Sequence, residues 1–263
     1  MSEEVVAYEE QGIIDIPIDY SVYVMTKKER LGYLFLAGIF VFVIGYIFYQ
    51  NSILALLLTP TALFYPKIKA KELLQRRKDE LKFQFKDMLY SLSSSMTAGK
   101  ALEPAFRDAL KDLRIIYPNE EAYIIKECES IVRKLDFNES INDILDDFAL
   151  RTDLEDIQSF VDVLQSCKKA GGNIVEVVRT TTGIINDKIE VKTEIDTMIA
   201  SKKFEQKLMG FAPVAMILVF SMAASDYMEP IFSTLQGRLA MTLALIIMAI
   251  VHFVSQKVIR IDV

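Results

Sequence analysis

Four apolar runs free of Asp, Glu, Lys and Arg interrupt an otherwise mixed chain. The first, "LGYLFLAGIFVFVIGYIFY" at residues 31–49, is long enough as a helix to cover the hydrocarbon core of a bilayer, about 30 Å. The second, "SILALLLTPTALFYP", begins after only Gln50 and Asn51, so the two read as a tight helical hairpin. Pro60 is tolerable in such a span only where the carbonyl it frees finds another donor. The third, "LMGFAPVAMILVFSMAA" from Leu208, and the fourth, "LAMTLALIIMAIVHFV" from Leu239, are joined by a short connection holding Asp226, Glu229 and Arg238, and read as a second hairpin.

Between the hairpins the pattern changes to amphipathic helices. Leu74, Leu81, Phe85, Met88, Leu89, Leu92 and Met96 recur with a helical period, as do Leu154, Ile157, Phe160, Val161, Leu164 and Cys167. No run alternates strictly between turn glycines, so strands are unsupported. The expected fold is all-α: a multi-pass helical membrane protein with a cytosolic antiparallel helix bundle. Its parts are an acidic cytosolic segment at 1–30, a first hairpin at 31–66, a helical domain at 67–207, a second hairpin at 208–256 and a cytosolic tail at 257–263.

The helical segment is punctuated three times in one way. Gly99 precedes apolar residues at 102, 105 and 106, Asn138 precedes 141, 144 and 145, and Gly171 precedes 174, 177 and 178. Each is a residue at ease in the left-handed region, where it closes one helix before the next stripe begins. Asn173 with Glu176 and Thr152 with Glu155 have capping-box spacing, and Lys168 and Lys169 suit the negative end of the helix that stops at Gly171 and Gly172. A phosphate loop does not fit. Gly99-Lys100 has Ser94 where a P-loop needs glycine and Ala101 where it needs a hydroxyl, and the paired glycines lack a preceding strand.

Charge gives the orientation. Lys27, Lys28 and Arg30 precede the first run, Lys67, Lys69, Lys71, Arg76, Arg77 and Lys78 follow the second, Lys202, Lys203 and Lys207 precede the third, and Lys257 and Arg260 follow the fourth. Basic flanks stay cytosolic, so both termini and the long middle segment are expected there. A mean hydropathy of +0.26 with 25% charged residues suits a membrane protein with a sizeable soluble part. The net charge of -6 and acidic first 19 residues argue against nucleic-acid binding. Two readings stay open for that acidic segment, a disordered tail or a partner-binding one.

Candidate chemistry is sparse. His252, the only histidine, reads as an interfacial anchor, and Cys128 and Cys167 read as free thiols on helix faces. Asp146, Asp147, Asp153, Glu155 and Asp156 read as solvated faces and helix starts. Ser93, Ser94 and Ser95 have no histidine near them and read as small packing residues. No catalytic, cofactor or metal site is expected, and the chain is not expected to be an enzyme. The spans carry no Asp, Glu, Lys or Arg for an ion path.

The stretch "FKDMLYSLSSSMTAGKALEPAF" resembles the F-domain of type II secretion systems and type IV pilus platforms. The second half is similar in order: "SINDILDDFALRTDLEDIQSFVDVLQSCKKAGGNIVEVVRTTTGIINDKIEVKTEIDTMIASKKFEQKLM" gives a short Ala/Phe-rich helix, an Arg, a long helix ending in basic-x-Gly-Gly, and a polar helix entering the membrane. It looks most like the tight-adherence (Tad) pilus branch, from about Phe85 to the C-terminus. The resemblance implies an inner-membrane platform that couples a cytosolic hexameric secretion ATPase to pilin assembly, with no nucleotide bound to this chain. It further implies a homo-oligomer or a hetero-oligomer with a sister platform protein. Larger relatives duplicate the helical unit, and this chain carries one. A helix from Asn173 through Lys188, Lys192, Ile195, Lys202 and Lys203 into the third run is the expected coupling element. The alternative is a regulatory or sensor scaffold whose helical domain recruits a cytosolic partner.

Overall fold

The computed structural model describes residues 18–119 and 121–259. The acidic residues 1–17, the last four residues of the tail and the side chain of His252 lie outside the described residues. Every regular element among them is helical: α1 (Lys27–Tyr49), α2 (Ser52–Leu58), a 3-10 helix (Thr59–Phe64), α3 (Tyr65–Thr97), α4 (Leu102–Ile116), α5 (Tyr123–Asp136), α6 (Ile141–Thr152), α7 (Glu155–Lys169), α8 (Ile174–Ala223), α9 (Ser225–Ser233) and α10 (Leu235–Ile259). They fall into two compact units. One holds the described residues up to Met25 together with Lys69–Glu190, and the other holds Thr26–Ile68 and Val191–Val263. The sequence boundary expected at 207/208 therefore falls inside α8, and so does the boundary between the units.

The first unit is built on one apolar core. Leu81, Phe85, Met88, Leu89 and Leu92 of α3 form the stripe that the spacing predicts, and all are fully buried. Phe85 sits at the centre, with its ring 6.0 Å from Phe148 and 5.7 Å, edge-on, from Phe160. Such aromatic contacts favour tilted and edge-on geometry because the ring faces are negative and the edges positive. Ala105, Phe106, Ala109 and Leu113 of α4 and Ile124, Cys128 and Ile131 of α5 close the core from the other helices. Ser91, not the expected serine run, is the buried hydroxyl of this stretch, and it donates to Asp112 at 2.6 Å, while Ser94 is exposed.

Three helices end with the same hydrogen-bonded turn. After α3, Gly99 N–H donates to Met96 O and Lys100 N–H to Ser95 O; after α5, Asn138 donates to Leu135 O and Glu139 to Lys134 O; after α7, Gly171 donates to Lys168 O and Gly172 to Cys167 O. This double crossing satisfies the last carbonyls and requires a left-handed residue in the turn. Gly99 (φ 90°), Asn138 (φ 61°) and Gly171 (φ 67°) supply it. At Gly172 a Cβ would stand 2.7 Å from the Cys167 sulfur, which would have to turn aside. The stop after α6 differs from the expected capping box. Thr152 is the last residue of α6 and its hydroxyl donates to Ala149 O, Asp153 takes the left-handed position (φ 49°), and Leu154 precedes α7. Two intervening residues are enough to turn the chain, so the box never forms.

In the second unit α1 and α2 form a hairpin. Gln50 turns at φ 45°, and the Asn51 side chain accepts from the amides of Ile53 and Leu54. Gly45 lies where a Cβ would meet the Ala55 backbone at 3.0 Å. The expected second span is not one α-helix. Pro60 sits at the start of the 3-10 helix, and the Leu56 carbonyl it cannot serve accepts from the Thr59 amide and from the Thr59 hydroxyl at 2.7 Å. In the connection at 225–238, α9 occupies most of the length and the Arg238 guanidinium Nε donates to Phe232 O at 2.9 Å. A small apolar cluster of Phe48, Tyr49, Val214, Phe232 and Met241 holds the unit, and the Tyr49 and Thr242 hydroxyls hydrogen-bond at 2.8 Å. Lys27–Tyr49, Ser52–Thr97 and Ile174–Ala223 are long and apolar enough over part of their length to cross a membrane, and Leu235–Val251 is a shorter apolar helix.

Candidate coupling helix and its charged anchor

Helix α8 runs for 50 residues, with Pro213 inside it. Its start is fixed by the Asn173 side chain, which accepts from the amides of Val175 at 3.1 Å and Glu176 at 3.4 Å, so two of the orphan donors at the N-terminus are satisfied. Val178 and Ile185 are buried in the first unit and Ile174, Val175, Val177 and Ile189 pack against that core. Ile184, next to Ile185, is 51% exposed, because it lies one residue off the buried line.

A charged anchor sits beside this stripe. Lys188 Nζ is 2.6 Å from Asp156 Oδ1, and Lys82 Nζ of α3 is 2.6 Å from Asp156 Oδ2. One carboxylate thus ties α8 and α3 to the first turn of α7, where the helix dipole also favours negative charge. Lys78 makes a parallel contact to Asp153 at 2.7 Å. Asp156, read as part of a helix start, does lie in the first turn of α7, but it is only 10% exposed and paired across helices, whereas Asp153 stays 60% exposed. Burial by itself would raise the Asp156 pKa, but the bonds from Lys188 and Lys82 overcome it and hold the carboxyl below its ordinary value of 3.8. Lys188 moves the other way, raised by its bond to Asp156.

The sign of the pH dependence follows. A carboxylate whose folded pKa is depressed contributes stability that is present above the unfolded value and is lost as pH falls through the folded one. Asp156→Asn is expected to lower stability at neutral pH and to flatten the acid limb of unfolding below about pH 4. Acid titration monitored by circular dichroism checks it, and an unchanged acid limb would remove Asp156 from the anchor.

The other expected helix residues lie beyond Glu190, in the second unit. Ile195 is half-buried, Lys202 pairs with Glu205 at 2.9 Å, Lys203 reaches Asp196 at 3.4 Å, and Lys192 lies on the same helix. The structure places Asn173 and Lys188 on the first unit and Lys192, Ile195, Lys202 and Lys203 on the second.

A second charged cluster escaped the sequence reading. Arg151 donates through Nη1 and Nη2 to both oxygens of Glu127 at 2.9 and 2.7 Å, and through Nε to Asp147 at 3.1 Å, which Lys134 meets at 2.7 Å. Glu127 is 2% exposed. Burial opposes the charge on Arg151, but Glu127 and Asp147 outweigh it and its pKa is raised. Asp147 is held below the usual range by Lys134 and Arg151 despite burial. The chain N-terminal to α1 joins this cluster. Tyr20 N–H donates to Arg151 O at 2.9 Å, Arg151 Nη1 donates to Ile18 O at 3.1 Å, and the Tyr20 ring is fully buried.

Cys128 is buried, its thiol pushed up to about 12 mainly by that burial, and it is free, as is half-buried Cys167. In the second unit a cleft is lined by Tyr49, Asn51, Asp226, Glu229, Phe232 and Arg238. The geometry of neither charged cluster places a nucleophile beside a base, and their ion pairs tie neighbouring helices of the first unit together. No family model, curated protein or solved structure matches the chain.

Proposed function

We propose that the chain is an inner-membrane platform of a type II secretion or Tad-like pilus machine, coupling a cytosolic hexameric secretion ATPase to the assembly of pilin subunits. The observation that carries this reading is α8: one continuous helix, capped at Asn173 and anchored through Lys188, that extends from the helical core into an apolar segment. In this reading a partner's movement passes along that helix. The membrane location is supported by the bare flanks of the apolar helices, where Leu31, Phe35, Leu36 and Phe40 of α1 stand exposed. Large exposed apolar faces mark a membrane or a partner. In this reading four segments span, both termini are cytosolic, lipid covers the apolar faces, and a second copy or a sister platform protein completes the assembly. The chain itself is no enzyme and takes no cofactor.

The test combines topology with association. Reporters fused at residue 51 and after Val263 should report opposite compartments, and an affinity-tagged chain should retain the secretion ATPase while deletion of its gene removes pili. Intact piliation after deletion would overturn the platform reading. Retention of a different cytosolic partner would move it to the regulatory scaffold.

A further inference from the structure

We infer that the groove formed by Arg77, Tyr123, Glu127 and Arg151 is a docking site for an extended peptide with an aromatic side chain, and that the chain's own residues 18–20 fill it as a releasable latch. These residues form no helix or strand. They are held by two backbone contacts, both to Arg151, by the Tyr20 ring, which joins the core, and by Ile18, which packs against it. That ring lies 5.0 Å from the Arg77 guanidinium carbon and 5.8 Å, edge-on, from Tyr123, and the same guanidinium lies 5.2 Å from the Tyr123 ring. The contact is therefore aromatic and cationic, read through one side chain and the peptide backbone.

Two observations point to release. The Tyr20 hydroxyl and Arg77 Nε are both buried at this contact without a hydrogen-bond partner. Glu127 lies near that hydroxyl and accepts from Arg151 at both oxygens, but neither oxygen stands in hydrogen-bonding geometry to Tyr20. Polar atoms of a permanent core are nearly always matched, and undocking returns both of these to water. The groove also needs no rebuilding when the segment leaves. Arg151 keeps its bonds to Glu127 and Asp147, so the wall stays formed. The residues that follow, 21–26, contain no helix to break. The inference rests on neither the membrane reading nor the pilus reading.

The test uses the full chain in detergent micelles. Hydrogen exchange is measured for wild type, Tyr20→Ala and Tyr20→Phe, and a fluorescein-labelled peptide IDIPIDYSVYV, residues 14–24, is titrated into each. For a local latch, Tyr20→Ala raises exchange across residues 18–25 by about tenfold or more while α5 and α6 stay within about twofold. The peptide then binds Tyr20→Ala and is excluded from wild type. Tyr20→Phe behaves as wild type, since the hydroxyl it loses had no partner. Exchange in α5 and α6 rising together with the segment, or global unfolding of Tyr20→Ala, would make residues 18–20 an integral part of the core and overturn the latch. Failure of the peptide to bind Tyr20→Ala, or equal binding to wild type, would overturn the docking site.

Discussion

Arg151→Ala is expected to destabilise the helical unit by about 3–5 kcal/mol, the usual cost of breaking a buried ion pair from one side. Glu127 is 2% exposed and receives both of its bonds from Arg151, so the truncation strands a carboxylate in the core. Asp147 would keep Lys134, and the backbone carbonyl of residue 151 would still accept from Tyr20, so the loss should come mainly from Glu127. The double variant Glu127→Leu with Arg151→Met should recover most of the loss, since well-packed apolar replacements of a buried pair are often neutral or stabilising. Urea unfolding of the full chain in detergent, read by far-ultraviolet circular dichroism, measures both. A loss for Arg151→Ala below about 1 kcal/mol, the range of solvated surface pairs, would show that water reaches Glu127.

On the proposed platform reading, Ile195→Pro should abolish pilus assembly while leaving ATPase recruitment intact. Proline at an interior helix position removes one backbone bond and collides with the preceding turn, at about 3 kcal/mol, and kinks the helix. Ile195 lies beyond the Lys188 anchor and before the apolar stretch that begins at Leu208, so the cap and core contacts of α8 are left in place. The decisive comparison is piliation by electron microscopy beside ATPase retained on the tagged chain. Normal pili with a confirmed kink would rule out coupling through a rigid α8.

Much of the helical architecture was legible because it repeats locally. The stripe from Leu81 to Leu92 follows from spacing alone, and the left-handed stops at Gly99, Asn138 and Gly171 from residue type together with the next stripe. The stop at Asp153 was missed because aspartate is a common helix-start residue, and Thr152 with Glu155 imitated a capping box. The Arg151 pair left a signal that went unused. Glu127 shares a helix face with Ile124, Cys128 and Ile131, and Arg151 shares one with Ile144 and Phe148; a charge on an apolar stripe of each neighbouring helix calls for a partner. Tyr20 left no such signal, since its contact with Arg151 spans most of the helical unit's sequence and has no period. Nor does local spacing reveal that Asp156 gathers lysines from two other helices.

The close seat of Gly45 on Ala55 bears on how the first hairpin tolerates change. Lipid tails are as apolar as leucine, so in a bilayer helix pairing is set by how nearly two backbones can approach. A Cβ on Gly45 would press on the Ala55 backbone, and Ala55 is itself fully buried. Outward-facing Leu31, Phe35 and Phe40 can then drift among apolar types, whereas at residues 45 and 55 a single added methyl group changes the seam. That hairpin is specified by its polar turn at Gln50 and Asn51, by side-chain volume at residues 45 and 55, and along its outer face only by greasiness.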